Sequence, residues 1–171
     1  SEQKITVSNA EIDEPEATRI LRWAIDKGVN YIDTAYPYHS GNIELFLGRA
    51  LQDGYRQKVY LATKMPGRQI KSRGDMDRIL NEQLKKLQTD FIDFYLVQAV
   101  SENSWPGLVQ NNLFEFLDTA LADGRIRYAG FSFHSELPLF KEVVNAYDWS
   151  FCQIQYNYLD GNFQAGKAGL E

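Results

Sequence analysis

An acid, a phenol and an amine stand close together in the first part of the chain. Asp33 and Tyr38 lie in Gly28-Val29-Asn30-Tyr31-Ile32-Asp33-Thr34-Ala35-Tyr36-Pro37-Tyr38, and Lys64 ends Tyr60-Leu61-Ala62-Thr63-Lys64. Asp33 and Lys64 each close an apolar run that reads as a buried strand, and Tyr38 follows in the loop after the first. Gathered at one edge of a sheet, these three groups can deliver a proton to a carbonyl oxygen. Singly they have ordinary readings: a cap, a solvated strand end and a packed loop aromatic. Together, in this order and spacing, they read as a site.

The elements that must position them alternate without a break. Pro15 opens a helical run in which Ile20, Leu21, Ala24 and Ile25 recur on one face, and Gly28 stops it. A strand follows at Asn30 to Ile32, a helix at Asn42 to Leu51 and a second strand at Lys58 to Thr63. Asp75 to Gln88 carries Met76, Ile79, Leu80, Leu84 and Leu87 on one helical face. Phe91 to Val97 is almost wholly apolar, as a strand covered on both faces would be. A helix at Leu113 to Ala122, a strand at Arg127 to Phe131, a helix capped by Ser135 and running to Ala146, and a strand at Phe151 to Gln155 complete the pattern. Residues 1–12 read as a loop or small hairpin, and a further helix is expected to start near the end.

Strands separated by helices imply a parallel sheet with right-handed crossovers, either open and doubly wound or closed as a (β/α) barrel. An open sheet more often carries a glycine-rich phosphate loop after its first strand, and none is present. A barrel collects polar residues at the C-terminal ends of its strands, and here those ends read Asp33, Lys64, Gln98, Ser132, Gln153 and Gln155. The expectation is therefore an α/β (β/α)8 TIM barrel of which about five βα units are present. It forms one domain over residues 1–171 that is short of a whole barrel at both ends.

Bulk composition narrows the function classes. The 171 residues, 44% hydrophobic and 24% charged, are those of an ordinary globular domain. A net charge of -5 without a cluster of lysines and arginines argues against a nucleic-acid partner. No apolar stretch approaches the roughly 20 residues of a membrane helix, and the first residues lack a signal-peptide pattern, so a cytoplasmic location is expected. The single Cys152 leaves no internal disulfide and is expected to be inert core. Aromatics after strand ends, namely Tyr36, Tyr38, Trp105, Phe133, Tyr156 and Tyr158, suit a pocket for a flat ligand.

Several segments carry a resemblance. Asp33-Thr34-Ala35 has Tyr38 five residues after its aspartate, and Glu44 precedes Leu47-Gly48. Lys64 follows Leu61-Ala62-Thr63, and Leu87-Gln88-Thr89-Asp90-Phe91-Ile92-Asp93 comes next. Gly124-Arg125-Ile126-Arg127-Tyr128-Ala129-Gly130-Phe131-Ser132 and Gln153-Ile154-Gln155-Tyr156-Asn157 continue the series. From about Ile12 onward the chain resembles the aldo-keto reductase family. It is most similar to the bacterial and archaeal branch with a C-terminal ferredoxin-like extension, which is absent from this sequence.

The resemblance implies hydride transfer between a nicotinamide cofactor, usually NADPH with NADH left open, and a small aldehyde or ketone. It makes Tyr38 the proton donor. A free tyrosine has a pKa near ~10, so the resemblance gives Lys64 the role of stabilising the phenolate and Asp33 that of holding Lys64. On the cofactor side it implies Asp33, Ser132 and Gln153, the last two as partners of the nicotinamide carboxamide.

Two positions depart from the family pattern. Gln98 stands after Leu96-Val97 where the family has histidine; it can orient a carbonyl but cannot exchange a proton near neutrality. Phe133 follows Ser132 where many members have asparagine. Three classes of function therefore stay open: a reductase, an aldo-keto reductase-like binding protein without turnover, and a barrel hydrolase or lyase using Lys64 as a Schiff-base amine. His39 and His134 read as surface or cap residues that could reach the pocket rim. Trp105 reads as a loop residue walling a pocket or packing locally. Glu44 points back toward the Tyr38 loop or lies on a solvated helix face.

Overall fold

The computed structural model describes residues 12–170; the loop or hairpin expected over residues 1–12 lies, but for Ile12, outside the described residues. Five strands, β1 (Tyr31–Asp33), β2 (Tyr60–Met65), β3 (Ile92–Val100), β4 (Ile126–Phe133) and β5 (Phe151–Ile154), form one sheet in sequential order, all parallel. The intervening helices are α1 (Glu14–Asp26), α2 (Ile43–Ala50), α3 (Arg73–Leu87), α4 (Trp105–Gln110), α5 (Leu113–Ala122) and α6 (Leu137–Ala146). No helix among the described residues is long and apolar enough to cross a membrane.

Local chemistry explains most boundaries. Asp13 caps α1 by accepting from the Glu16 amide, and Pro15 sits in its first turn. Ser72 and Asp75 form a reciprocal capping box that starts α3 two residues earlier than the apolar pattern alone indicates. Gly28 takes φ +103 just past α1, a conformation L side chains avoid.

The main core lies between sheet and helices, where Leu61, Met65, Tyr95, Val97, Phe131 and Phe133 meet Phe46, Leu47, Met76, Leu80, Phe116 and Phe140. The opposite face carries an aromatic layer. Phe94 on β3 has the rings of Tyr31 (β1), Tyr60 (β2), Tyr128 (β4) and Phe151 (β5) at centroid distances of 5.5, 5.9, 5.1 and 5.2 Å. Flat neighbouring strands lie about 4.8 Å apart, so rings from β1 and β5 meet one ring on β3 most easily when the sheet curls around them. That curl makes the five strands an arc of a barrel, concave on the aromatic side. Gly130 permits it: a Cβ there would stand 2.6 Å from the Phe151 ring.

Four expectations are corrected. The segment after β3 is not all loop: Trp105 opens α4, is buried, and its indole donates to Glu142 at 2.8 Å. β3 runs past Val97 to Val100 through a bulge at which Ala99 takes φ +50. Ser135 does not cap α6, whose cap position is Glu136; its hydroxyl donates to Glu102 instead. Cys152 is exposed rather than core, because among the described residues β5 is an edge strand with one neighbour.

Candidate active site

The C-terminal ends of β1 and β2 bring the first pair together. Lys64 pairs with Leu96 and Asp33 with Ala62 in the parallel ladder, so the amine and the acid rise from adjacent strands. Lys64 Nζ donates to Asp33 Oδ1 at 2.5 Å and to the Thr34 carbonyl at 2.9 Å. The lysine side chain is 3% exposed and the carboxylate 31%. A buried ammonium needs such partners to offset its lost hydration.

Tyr38 begins a 3-10 turn, Tyr38–Gly41, immediately before α2. Its amide donates to the Ala35 carbonyl at 3.1 Å, and Lys64 Nζ lies 5.2 Å from its ring centroid. The next two residues, His39 and Ser40, both take left-handed dihedrals, φ 47 and 55. Neither is glycine, so the turn carries a backbone cost of order 1 kcal/mol or more at each. Tyr36, two residues earlier, is tied elsewhere: its hydroxyl donates to Glu82 at 3.1 Å, and burial with that bond raises its pKa. Of the two tyrosines, only Tyr38 lines the cavity over Lys64.

That cavity is about 280 Å³ and is bounded by Tyr38, Lys64, Gln98, Ser132, His134 and Gln153 among others. Ser132 and Gln153 are paired in register on β4 and β5. The Ser132 hydroxyl is nearly buried and accepts the Ala99 amide at 2.9 Å, which leaves its proton available for a further acceptor. The β3 bulge thus orients Ser132 and lets Gln98 line the same hollow. Every sequence-derived site residue except Asp33 lines the cavity, and Asp33 reaches it through Lys64.

His134 joins the site more firmly than its sequence context indicates. Phe131 and Phe133 turn to the helix side, against Phe140, so strand alternation turns Ser132 and His134 to the other. The same alternation removes Phe133 from the expected pocket wall. Gln83 was not singled out from the sequence, yet it joins Glu44 and Thr63 directly behind Lys64. Its signal was a polar residue on the apolar face of α3, four residues after Ile79.

A larger hollow of about 690 Å³ lies at the opposite, N-terminal ends of the strands, among Asn30, Arg56, Tyr60, Asp93 and Arg127. Its central acid is consumed by its neighbours: Asp93 takes Arg56 at 2.8 Å, Arg127 at 2.9 Å and the Leu61 amide at 3.0 Å. Size alone favours this end; the arrangement of titratable groups around an accessible wall favours the Tyr38–Lys64 end.

Known proteins match this chain in sequence and fold. The model of the aldo/keto reductase family matches residues 4–167. Aldo-keto reductase YhdN of Bacillus subtilis is 37% identical over 102 residues, covering 55% of this chain and 29% of that protein. A probable aldo-keto reductase of Glycine max is 29% identical over 132 residues, covering 72% and 37%. The holo structure of an aldo-keto reductase from Bacillus halodurans aligns at a TM-score of 0.74 and 29% identity, over 85% of this chain and 50% of that one. One from Klebsiella pneumoniae in complex with NADPH aligns at 0.72 and 27% identity, over 84% and 49%. The chain spans about a third of the length of these curated relatives and half of the solved ones. The fold is accordingly α/β, a five-stranded parallel arc of a TIM barrel with its helices. With its family model running through nearly the whole sequence and its backbone following solved members over 85% of its length, the chain belongs to the aldo/keto reductase family.

Proposed function

We propose that this domain reduces an aldehyde or ketone with NADPH, Tyr38 giving the proton to the carbonyl oxygen. The observation that carries the reading is the run from Asp33 through Lys64 to Tyr38, the last two lining the cavity, with Lys64 Nζ 2.5 Å from the carboxylate and 5.2 Å from the phenol ring centroid. A cation held beside the ring favours the phenolate left behind by proton transfer. Asp33 and the Thr34 carbonyl keep that cation in place. Gln98, on the cavity wall, can orient the carbonyl by donating an amide hydrogen, without itself moving a proton.

The donor set suits a nicotinamide carboxamide. Ser132 offers a hydroxyl proton and Gln153 a side-chain amide, side by side in register and facing the same hollow. When bound, the nicotinamide would supply the hydride, and these two residues would hold its carboxamide in the hollow that Tyr38 also lines. The Klebsiella pneumoniae relatives solved with NADPH, and with NADP and acetate, support the choice of cofactor. The reading takes the chain as one barrel domain acting on a small carbonyl compound in the cytoplasm, with no nucleic-acid or membrane partner. A Schiff-base role for Lys64 fits less well, because its ammonium is already engaged by a carboxylate and a carbonyl. Binding without turnover is favoured by one residue, Gln98, and the same experiment separates it.

Tyr38→Phe is expected to lower kcat for reactive aldehydes by at least about 10³-fold, the upper part of the range for a lost general acid, while the Kd for NADPH stays within twofold. Equal turnover by the variant would remove Tyr38 from the chemistry. NADPH binding without turnover by the unaltered protein would leave the binding reading.

A further inference from the structure

Glu44 is an ionisable group that the proposed chemistry does not use, and it is sealed on the helix-facing side of the sheet. It is the second residue of α2, which continues directly from the turn carrying Tyr38. Its side chain has no solvent exposure. Oε1 accepts the Thr63 hydroxyl at 2.7 Å and the Gln83 amide at 2.8 Å. Gln83 Nε2 also reaches the Lys64 carbonyl at 3.2 Å, and Gln83 Oε1 accepts the Tyr95 hydroxyl at 2.8 Å. Oε2 is buried without a hydrogen-bond partner.

Such a cluster is costly for a helix–sheet interface. Apolar residues of similar shape would pack there without any polar group to satisfy. Burial pushes the Glu44 carboxyl up from its ordinary 4.5, against the pull of Thr63 and Gln83. The cluster is informative through what it joins. On one side is α2, covalently continuous with the Tyr38 turn; on the other are Thr63 and the carbonyl of Lys64 itself. Gly48 makes the meeting possible: a Cβ there would stand 2.2 Å from the Lys86 carbonyl, so α2 seats against α3 closely enough for Glu44 to reach Gln83.

We propose that Glu44 is a positioning residue that sets the spacing between Tyr38 and Lys64, tying the helix that continues the Tyr38 turn to the strand that carries Lys64. The catalytic meaning of that spacing rests on the proposed function; the spacing itself does not. A rigid clamp is warranted because a misplacement of about 1 Å at reacting groups can cost on the order of 10²-fold in rate.

The test compares Glu44→Gln, Glu44→Ala and Thr63→Val in the whole chain. The first readout is the nuclear Overhauser effect between the Tyr38 ring protons and the Lys64 ε-methylene in the cofactor-free protein, which falls with the sixth power of distance. Glu44→Ala and Thr63→Val are expected to weaken it at least about twofold. Glu44→Gln, which keeps an acceptor for Thr63 and Gln83, is expected to preserve it. The second readout is kinetic: the two disruptive variants are expected to lose about tenfold or more in kcat with KM for NADPH unchanged, and Glu44→Gln to retain the parent rate. Thr63→Val removes the hydroxyl's two hydrogen bonds, to Glu44 and from Gln83, at nearly constant volume, so it carries the test if Glu44→Ala does not fold. An unchanged Overhauser effect in Thr63→Val overturns the proposal, as does damage by Glu44→Gln equal to that by Glu44→Ala. A weakened effect in a protein whose parent shows no turnover upholds the clamp and sinks the reductase reading instead.

Discussion

The two ends of this sheet use opposite charges in similar numbers toward different ends. At the N-terminal end Asp93 is 2% exposed and meets two guanidiniums and a backbone amide. Phe91 lies under both arginines, with the Arg127 guanidinium carbon 3.7 Å from its ring centroid and that of Arg56 at 4.8 Å. At the C-terminal end one buried ammonium meets a partly solvated carboxylate beside a phenol and an accessible wall. The first arrangement ties β2, β3 and β4 together where they begin; the second leaves a tyrosine facing a hollow. A saturated acid holds the fold, and an under-committed group beside a held cation is placed for chemistry.

Exchanging the two roles by mutation is the direct way to break this comparison. Lys64→Met is expected to reduce kcat/KM by on the order of 10³-fold, equivalent to about 4 kcal/mol in the transition state. Its effect on stability should be modest, since Asp33 can rehydrate; steady-state kinetics paired with urea unfolding measures both. If urea unfolding instead shows several kcal/mol lost, Lys64 is a structural residue. Asp93→Ala is the mirror case. It strands Arg56 and the Leu61 amide, and about 3 kcal/mol or more of stability should go, with kcat per folded molecule unchanged. A large kinetic effect at preserved stability would mean that the N-terminal end takes part in the chemistry.

The smallest effect sharpens the contrast by pH. The folded-state pKa of Glu44 is raised, so the folded protein holds this proton more tightly than the unfolded chain. The stabilisation is complete below the ordinary value of 4.5 and is lost as pH rises through the raised folded value. Glutamine does not titrate, so the Tm of Glu44→Gln relative to the parent should increase between about pH 4 and neutrality. A Tm difference flat in pH would show that Glu44 does not carry an extra proton.

Much of this was legible in sequence because the signals were local. Apolar runs ending in Asp33 and Lys64, and glycines at the helix ends, placed β1, β2 and the helices between them within a residue or two. The features that were not legible depend on neighbours distant in sequence. Glu44 looks like a surface residue until Thr63 and Gln83 close over it. Cys152 looks like core until its strand is found at an edge. Six residues of α4 are too few to show a period, and the Ala99 bulge leaves no mark in composition. His134 faces the hollow only because Phe131 and Phe133 commit the odd positions of β4 to the helix layer, which its own neighbours in sequence do not reveal.

The two left-handed residues after Tyr38 have an evolutionary consequence. Asp33 and Lys64 are embedded in a hydrogen-bonded ladder, where a change of residue type disturbs two strands at once. His39 and Ser40 sit outside the ladder, in a conformation that β-branched side chains resist. Substitution there alters the pitch of one turn and hence the reach of the phenol, with the sheet untouched. Selection, or an engineer, can therefore shift Tyr38 relative to the cavity through this short turn while the cation and its carboxylate keep their places.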